Sequence, residues 1–409
     1  MHRGLGVATS NNLLNKAVFV LVCLKILADM FWQFPVLDML LLGFALVILG
    51  LHLPQSRVSY GLPDAASVLL LTLLTFSFSK SVDGAVVFFK MASAIILYFL
   101  GRESSESFNE AVKGALIASI VVLVLNAATF VSGAGFQTWG DANTFSGLYY
   151  FKTDLASAMS LVLITGLYYI NQPVIKIIYI IICSLLIVAS NARAYYIILL
   201  LTGGLYITYR LNIRITVKLA IYGLVGILGA LYLLNWIFST GIFQDMGYVG
   251  IQFDSLSDLF DAANTQGRNA IWDDLFSRIS SGGLGAQLLG FDLTGDIVVV
   301  NGSEYGAHSL YVGLLYNTGV IGLACFMYLL LYTFNSIRKL SRIDSTKAYY
   351  VITLLMQVLI SGVSVHVLQF TGNVWIPMLF FGMAITIGRE CKETTRPHLA
   401  HRPSRKAGV

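Results

Sequence analysis

Long runs of apolar residues, separated by short polar breaks, follow one another along almost the entire chain. A helix that crosses a membrane needs about 20 mainly apolar residues. Twelve runs of about that size can be placed, at residues 17–34, 36–53, 65–79, 84–101, 111–132, 154–171, 174–191, 194–210, 215–238, 308–334, 349–370 and 372–388. The pattern therefore predicts an all-α polytopic membrane protein with about 12 transmembrane helices.

The polar connections between these runs are mostly only a few residues long. Two connections on the same side of the predicted membrane are longer, at residues 133–153 and 239–307. We therefore expect transmembrane helices 1–9 in residues 1–238, one large outer loop in 239–307, helices 10–12 in 308–388 and a basic cytoplasmic tail in 389–409. Long loops on a rigid scaffold are where functional residues concentrate, so function is sought at this outer face.

Part of the large outer loop has the apolar spacing of a helix. The stretch from Arg268 to Ile279 places apolar side chains on one face of a helix, at Ile271, Trp272, Leu275, Phe276 and Ile279. The loop as a whole is acidic and has no Pro-rich or repeated segment. We expect it to fold as short amphipathic helices at the membrane surface.

The composition agrees with a membrane protein and excludes several other classes. The chain is 57% apolar and 11% charged, with a mean hydropathy of +0.77, which is too apolar for an ordinary soluble domain. The net charge of +5 does not indicate a nucleic-acid partner, because the basic residues form no patch interleaved with aromatic residues.

The four cysteines lack CxxC spacing, so neither disulfides nor a zinc site is expected. The first apolar run lacks a cleavage signal and is expected to be retained.

The distribution of Lys and Arg gives an independent prediction of topology. Basic residues are enriched in cytoplasmic loops of membrane proteins. With the N-terminus inside, most of the 26 Lys and Arg residues fall on cytoplasmic segments, and the C-terminus is cytoplasmic as well. The exceptions are five outer residues and two within helices: Lys80, Lys152, Arg193, Arg268, Arg278, Lys25 and Lys90.

His308 is the first candidate for chemistry, because it stands where the large loop re-enters the membrane. An imidazole at that position titrates near neutral pH, as a general base or a proton relay requires. The alternative is a histidine that caps the helix or rests in the membrane interface. The spacing alone favours that alternative slightly.

Arg193 is the second candidate, because it occupies a very short outer turn where a positive charge is disfavoured. A guanidinium held there suits a bidentate contact with phosphate or pyrophosphate. The alternatives are an arginine that reaches to lipid headgroups or one that pairs with an acid of the large loop. Arg268 and Lys152 are further outer cations that could converge on the same anion.

A few ionisable residues fall inside the apolar runs. Lys25 and Asp29 are four residues apart, on one face of a helix, and can neutralise each other, whereas Lys90 has no such neighbour in the sequence. A proton or ion pathway is the alternative, but few ionisable groups align across the membrane.

His366 is near the outer end of its predicted helix and could border the same site as His308. No HExxH, GxSxG or Walker motif occurs, so neither ATP hydrolysis nor a metalloprotease or serine protease is supported.

Four short motifs together resemble the superfamily of O-antigen ligases and Wzy-type polysaccharide polymerases. His308-Ser309, nine residues and then Gly319-Val320-Ile321-Gly322 is similar to its His-(Asn/Ser)-x9-Gly-x-x-Gly signature, with Ser309 where Asn is common. The other three are the segments that begin Gly147-Leu148-Tyr149, Ser190-Asn191-Ala192-Arg193 and Gly267-Arg268-Asn269. The resemblance covers about residues 145–325; the first 140 residues match only in being helical.

The resemblance implies a metal-independent glycosyltransferase of the GT-C type in the bacterial inner membrane, with a periplasmic active site. Its donor would be an undecaprenyl-pyrophosphate-linked oligosaccharide. Arg193 and Arg268 would hold the pyrophosphate, and His308 would accept the proton of, or orient, the attacking sugar hydroxyl. We expect further substrate contacts from Lys152, Tyr311, Arg278 and His366.

The motifs leave the acceptor open. A polymerase joins one lipid-linked repeat to another, whereas a ligase transfers the finished glycan to lipid A-core. Because this branch of the superfamily also serves exopolysaccharide and capsule systems, polymerase is slightly favoured, with a chain-length regulator as a further partner. A transporter or flippase is the third hypothesis, and internal repeats with ionisable residues at the midplane would favour it. No convincing repeat is found.

Overall fold

A computed structural model describes residues 2–55, 58–77, 82–139, 142–216, 268–300, 303–369 and 371–394, together with the single residue 229. The described chain is mainly helical, which confirms the predicted helical class. The longer helices are α1 His2–Ala28, α2 Val36–His52, α3 Leu62–Phe76, α4 Val82–Glu103, α5 Phe108–Val131, α6 Lys152–Tyr169, α7 Pro173–Ala189, α8 Arg193–Arg210, α9 Arg268–Ser281, α10 Gly283–Leu289, α11 Leu310–Leu340, α12 Ser345–Ser364 and α13 Thr371–Thr394.

An α-helix occupies most of every predicted span except 215–238, of which the structure describes only residues 215, 216 and 229. Among the described residues, four helical segments are long and apolar enough to cross a membrane: Asp83–Glu103, Ser105–Val131, Leu310–Leu340 and Ser345–Ser364. Three shorter helices are also apolar: Val36–His52, Leu62–Phe76 and Pro173–Ala189. The length and composition of these helices are those of a helical membrane protein. The total of twelve spans, their orientation and the periplasmic side of the loop stay predictions.

Contacts between distant segments gather several connections at one end of the bundle, where the ring of Trp32 lies 4.4 Å from that of Tyr150 and the charges of Arg193 and Arg268 act on Lys152. We call "the loop end" the end that carries the turn 29–35, the segment 132–151, the turn 190–192 and the segment 268–309. Short turns and 3-10 helices make up the opposite end. The sequence-based candidates Lys152, Arg193, Arg268 and His308 all belong to segments of the loop end.

Close packing of α4 against α13 forms the centre of the bundle. Gly101 of α4 touches the backbone of Leu379 in α13 so closely that an added Cβ would collide with the carbonyl group. Small residues at such contacts let helices approach, which is how helices associate in membranes. Aromatic rings fill the space beside this contact, with the rings of Phe108 and Tyr350 each within 5.0 Å of the ring of Phe380.

A buried carboxylate joins three helices near the opposite end. Asp64 of α3 pairs with Arg102 of α4 at 3.0 Å and with Arg389 of α13 at 3.4 Å, and it accepts a hydrogen bond from Tyr98 at 2.7 Å. Arg102 is completely buried. Removal of one partner from such a buried network leaves an uncompensated charge, so this network fixes the relative positions of the three helices.

α11 is interrupted at Gly319, which has a φ of 65° inside the helix. The backbone of Leu288 in α10 lies against this glycine so closely that a Cβ there would collide with the Leu288 carbonyl. The interruption frees carbonyl groups of the preceding turn, and the Tyr316 carbonyl accepts a hydrogen bond from the Phe291 N–H at 2.8 Å. The first glycine of the Gly-x-x-Gly motif therefore allows α10 and its loop to dock on α11.

The loop end also contains two short hairpins that the all-α prediction did not include. Strand β1 Phe136–Trp139 pairs with β2 Ala142–Phe145, and β3 Val298–Val300 pairs with β4 Ser303–Tyr305, both antiparallel. The strands have three or four residues, too few for a period-two pattern to stand out in the sequence.

The predicted surface helix of the large loop is present as α9. Ile271, Leu275 and Ile279 are buried against Val298 of β3 and Val312 of α11, as the apolar spacing predicted. Phe276 differs, because 44% of it is exposed. α9 therefore rests on the start of α11, which brings the loop over the residue that precedes that helix. Residues 239–267 lie outside the described part.

At the C-terminus, α13 continues to Thr394. The first residues assigned to the cytoplasmic tail, from Arg389 onward, are therefore helical, and Arg389 is tied to Asp64. The rest of the predicted tail, 395–409, is not among the described residues.

Candidate functional site

Three basic residues at the loop end each occupy the first position of a helix. Lys152 begins α6, Arg193 begins α8 and Arg268 begins α9. The first turn of a helix has unpaired backbone N–H groups and carries a partial positive charge. Lys152 and Arg193 therefore each add a full charge to a helix end that already favours anions, and Arg268 is the first described residue of α9.

The charges of these residues act on one another, which shows that they lie in one region. Burial lowers the pKa of Lys152, and the positive charges of Arg193 and Arg268 lower it further. Burial likewise lowers the pKa of Arg268, with a second contribution from Arg193. Because like charges disfavour each other only at short range in water, the three cations form a cluster, which we call the cation cluster.

His308 belongs to the same region. Partial burial lowers the pKa of its imidazole by removing water from around the charged form, and the charge of Arg268 lowers it further. The residue is nevertheless exposed on its solvent side, so a substrate can reach the ring. A lowered pKa keeps the imidazole neutral at neutral pH, which is the form that can accept a proton.

The cation cluster has no counter-ion within the part of the chain that the structure describes. None of Lys152, Arg193, Arg268 and His308 is in an ion pair there, although seven such pairs connect other described residues. The Nη1 atom of Arg193 is buried and has no hydrogen-bond partner. Buried donors are normally satisfied, so the cluster is suited to an anion supplied from outside the protein.

The turn that carries Arg193 is held by local hydrogen bonds. Asn191 has a φ of 51°, a left-handed conformation that Asn tolerates better than most residues. The hydroxyl of Tyr196 donates to the Val188 carbonyl at 3.2 Å, and the Ala192 N–H donates to the Ser190 hydroxyl at 3.3 Å. These contacts fix the backbone just before Arg193 and thereby the position from which its side chain extends.

His308 is also in a left-handed conformation, with a φ of 46°. A non-glycine residue in this region costs about 1–3 kcal/mol and persists only where its surroundings hold it. Both backbone groups of the preceding Ala307 are engaged: its carbonyl accepts a hydrogen bond from Trp272 Nε1 at 2.9 Å, and its N–H donates to the Asp296 carboxyl. The strained turn thus has support from α9 and from the loop.

Asp296 is a residue that the sequence did not single out. It is one of many acids in the large loop, yet it is 5% exposed. Burial raises its pKa, and the hydrogen bond from Ala307 opposes that shift. Nothing in its sequence neighbourhood distinguishes it from the exposed acids around it. Trp272, by contrast, stands in the motif that begins at Gly267.

Three other predicted substrate contacts have protein partners or are buried. Arg278 pairs with Asp274 at 2.7 Å, and its guanidinium also donates to two loop carbonyls. The Tyr311 hydroxyl donates to the Leu359 carbonyl at 2.7 Å. His366 is 2% exposed and rests against Gly313 of α11, with neither ring nitrogen hydrogen-bonded. The structure does not join these three to the cation cluster, and substrate contact by them stays a prediction.

The lysine inside α1 has two carboxylate partners. Lys25 pairs with Asp29 at 2.5 Å, as its spacing predicted, and with Asp38 of α2 at 2.6 Å. The sequence could not show the second contact, because it depends on how α2 folds back on α1. An internal ion pair thus accounts for Lys25. Among the described residues, no group of three His, Cys, Asp or Glu side chains could hold a metal ion.

Comparison of the chain with protein-family models and with curated proteins found no match.

Proposed function

We propose that the chain is a membrane glycosyltransferase that uses an undecaprenyl-pyrophosphate-linked oligosaccharide at the periplasmic face of the bacterial inner membrane. In this proposal the termini are cytoplasmic and the loop end faces the periplasm. One observation carries it: Lys152, Arg193 and Arg268 cluster beside His308 without a counter-ion among the described residues.

The cation cluster suits the leaving group of such a reaction. When a glycan leaves its carrier, negative charge develops on the pyrophosphate. Donors that are already in place stabilise that charge without reorganisation, and this is often the largest contribution to catalysis. Arg193, with its buried unpaired Nη1, and Arg268 would bind the pyrophosphate oxygens, and Lys152 would add a third charge. The cluster supplies the charge that a metal ion supplies in many transferases, and no cofactor is needed.

His308 suits the other half of the reaction. The acceptor hydroxyl oxygen attacks the anomeric carbon of the donor, the bond from that carbon to the phosphate oxygen breaks, and undecaprenyl pyrophosphate leaves. The hydroxyl proton passes to the neutral imidazole of His308 as the new glycosidic bond forms. The lowered pKa of His308 keeps it in the neutral form before the reaction.

Polymerase is the activity that we propose, with a second lipid-linked repeat as the acceptor and a chain-length regulator as a partner. An O-antigen ligase that transfers to lipid A-core is the alternative. The cation cluster would serve either enzyme, since both use the same donor. Transport ranks third, because the charged groups inside α1 and α2 are paired with each other.

The test is complementation of a deletion strain with matched variants, followed by analysis of surface glycan on gels. His308→Ala, Arg193→Ala and Arg268→Ala should fail to restore long chains at normal protein level. Arg338→Ala is the matched control, since this arginine near the end of α11 donates to Asn335 of its own helix and is not part of the cluster.

The outcomes separate the activities. Single repeats on the acceptor in the deletion strain support a polymerase. Polymer that stays on the undecaprenyl carrier and never reaches lipid A-core shows a ligase instead. A normal ladder from all three cluster and histidine variants contradicts the proposed function.

A further inference from the structure

A cavity of about 230 Å³ lies at the loop end, next to the cation cluster. Residues at the end of α1, the start of α2 and the start of α6 line it, together with Lys90 of α4 and Gln369. Asp154, on its wall, is two residues after Lys152 of the cluster. The cavity differs from the cluster in chemistry, because its walls are mainly aromatic and carboxylic.

Aromatic rings form one wall of the cavity. The ring of Tyr150 lies 4.4 Å from that of Trp32 and 4.1 Å from that of Phe151, measured between centroids. Trp32 and Tyr150 are each 46% exposed although they are large and apolar. The planes of these ring pairs are inclined by 45° and 71°, so the rings form an angled apolar wall, and the exposed face of one ring is available to pack against the C–H face of a sugar ring.

The polar groups on the walls include one acceptor and one donor without partners. The Oδ1 atom of Asp154 is buried without a hydrogen-bond partner. The ammonium of Lys90 forms no ion pair within the described chain, and it lines the same cavity. A hydroxyl group both donates and accepts hydrogen bonds, so a polyol satisfies both groups at once.

The charge of the walls argues against an anionic ligand, because three carboxylates, those of Asp29, Asp38 and Asp154, stand against two ammonium groups, those of Lys25 and Lys90. The charges of Asp29 and Asp38 are engaged by Lys25, at 2.5 and 2.6 Å. Asp154 and Lys90 also line the cavity but form no ion pair with each other in the described chain. The cavity therefore lacks the excess of positive charge that marks the cation cluster, and pyrophosphate would gain nothing by entering it.

The size of the cavity limits the ligand to a compact unit. Pockets for drug-sized ligands run from about 300 to 1,000 Å³. At about 230 Å³, this cavity is below that range and accommodates one sugar unit rather than an extended chain.

A short path joins the cavity to His308. Gln369 lines the cavity, and its side chain contacts the buried carboxyl of Asp296. The same carboxyl accepts the N–H of Ala307, which precedes His308. The cavity is therefore linked through Gln369 and Asp296 to the turn that holds His308.

We propose that this cavity binds the terminal sugar unit of the acceptor glycan, with the aromatic wall against the sugar ring and with Asp154 and Lys90 on its hydroxyl groups. The inference rests on the proposed function, because it names the acceptor side of the same reaction. It assigns the pyrophosphate of the donor to the cation cluster and the sugar of the acceptor to the neighbouring cavity, whose walls are mainly aromatic and carboxylic.

The experiment measures binding of two separate probes to purified protein in nanodiscs. One probe is the repeat-unit oligosaccharide released by mild acid from the host's own surface polysaccharide, which carries no pyrophosphate. The other is undecaprenyl pyrophosphate without sugar. Asp154→Asn and Trp32→Ala should each weaken oligosaccharide binding about tenfold or more and leave undecaprenyl pyrophosphate binding unchanged. Arg193→Ala should do the reverse.

Glu110→Gln is the matched control, since it makes the same change of carboxylate to amide at an exposed pair with Lys113. Oligosaccharide affinity that is unchanged in both cavity variants overturns the proposal. So does a Trp32→Ala protein that unfolds at lower temperature but keeps its affinity, because the rings would then serve only as anchors at the membrane interface. If the cavity variants lose oligosaccharide while undecaprenyl pyrophosphate never binds, the proposed function fails and the cavity assignment stands.

Discussion

The indole Nε1 of Trp272 donates a hydrogen bond to the backbone carbonyl of Ala307 at 2.9 Å. This contact joins α9 of the large loop to the turn that immediately precedes His308. Because His308 is held at a φ of 46°, the turn depends on such outside support. The large loop therefore does more than cover the site: it sets the conformation of the proposed base.

Trp272→Phe tests this positioning role, since the aromatic packing is retained and the N–H donor is removed. We expect kcat to fall about ten- to a hundredfold, because a small displacement of a reacting group costs that much. Affinity for undecaprenyl pyrophosphate should not change, since the cation cluster is intact. The measurement is the turnover of lipid-linked repeat units by protein in nanodiscs.

Tyr209→Phe is the control for that substitution. It removes a hydrogen bond of similar length, between the hydroxyl groups of Tyr209 and Thr346 at 2.9 Å, at the opposite end of the bundle. Its turnover should match that of the unmodified protein. If Trp272→Phe also turns over normally, the bond to Ala307 is not what positions His308.

The pH dependence of turnover follows from the lowered pKa of His308. The ordinary value is 6.5, and both burial and the charge of Arg268 move the pKa below it. The neutral imidazole is active, and activity is lost as the pH falls through the pKa of the free enzyme. We therefore expect the acid limb of the kcat/KM profile to lie below pH 6.5.

Arg268→Gln tests whether His308 is the group that titrates. Removal of the positive charge should move the acid limb towards higher pH while the rate falls, because the imidazole then protonates more easily. Arg278→Gln removes a charge that His308 does not sense and should leave the limb in place. An acid limb that is the same in all three proteins would show that another group titrates.

The geometry of Arg193 predicts that its charge alone is insufficient. Its Nη1 is buried and unpaired, so the planar guanidinium has a donor ready for an oxygen of the ligand. Arg193→Lys keeps the charge and loses the two-pronged contact, and we expect donor affinity to fall about tenfold. Equilibrium binding of undecaprenyl pyrophosphate in nanodiscs measures it, with Arg338→Lys near the end of α11 as the control. Equal affinity for Arg193→Lys and the unmodified protein would contradict a bidentate role.

The helices could be predicted from the sequence because each is a long apolar run with polar ends. The same logic found α9, whose apolar positions are buried against the start of α11. The two hairpins could not be found this way, because strands of three or four residues give too short a pattern.

The cation cluster was anticipated because positive charge on the outer side of a membrane protein is unusual. The supporting residues were not, since their roles depend on contacts between distant segments. Asp38 reaches Lys25 only after α2 folds back on α1. Asp296 becomes important only because the loop buries it beside Ala307.

Gly319 gives the last prediction, which concerns stability. An alanine there would have to adopt a positive φ, at a cost of about 1–2 kcal/mol, and its Cβ would collide with the Leu288 carbonyl. We expect Gly319→Ala to lower the free energy of unfolding by at least that amount and to loosen α10 from α11. Gly203→Ala is the control: a Cβ at this position of α8 meets no atom within 4 Å, and alanine favours a helix over glycine. Thermal unfolding in detergent should show a lower midpoint for Gly319→Ala and an equal or higher one for Gly203→Ala. Equal midpoints for Gly319→Ala and the unmodified protein would mean that the interruption of α11 does not require glycine.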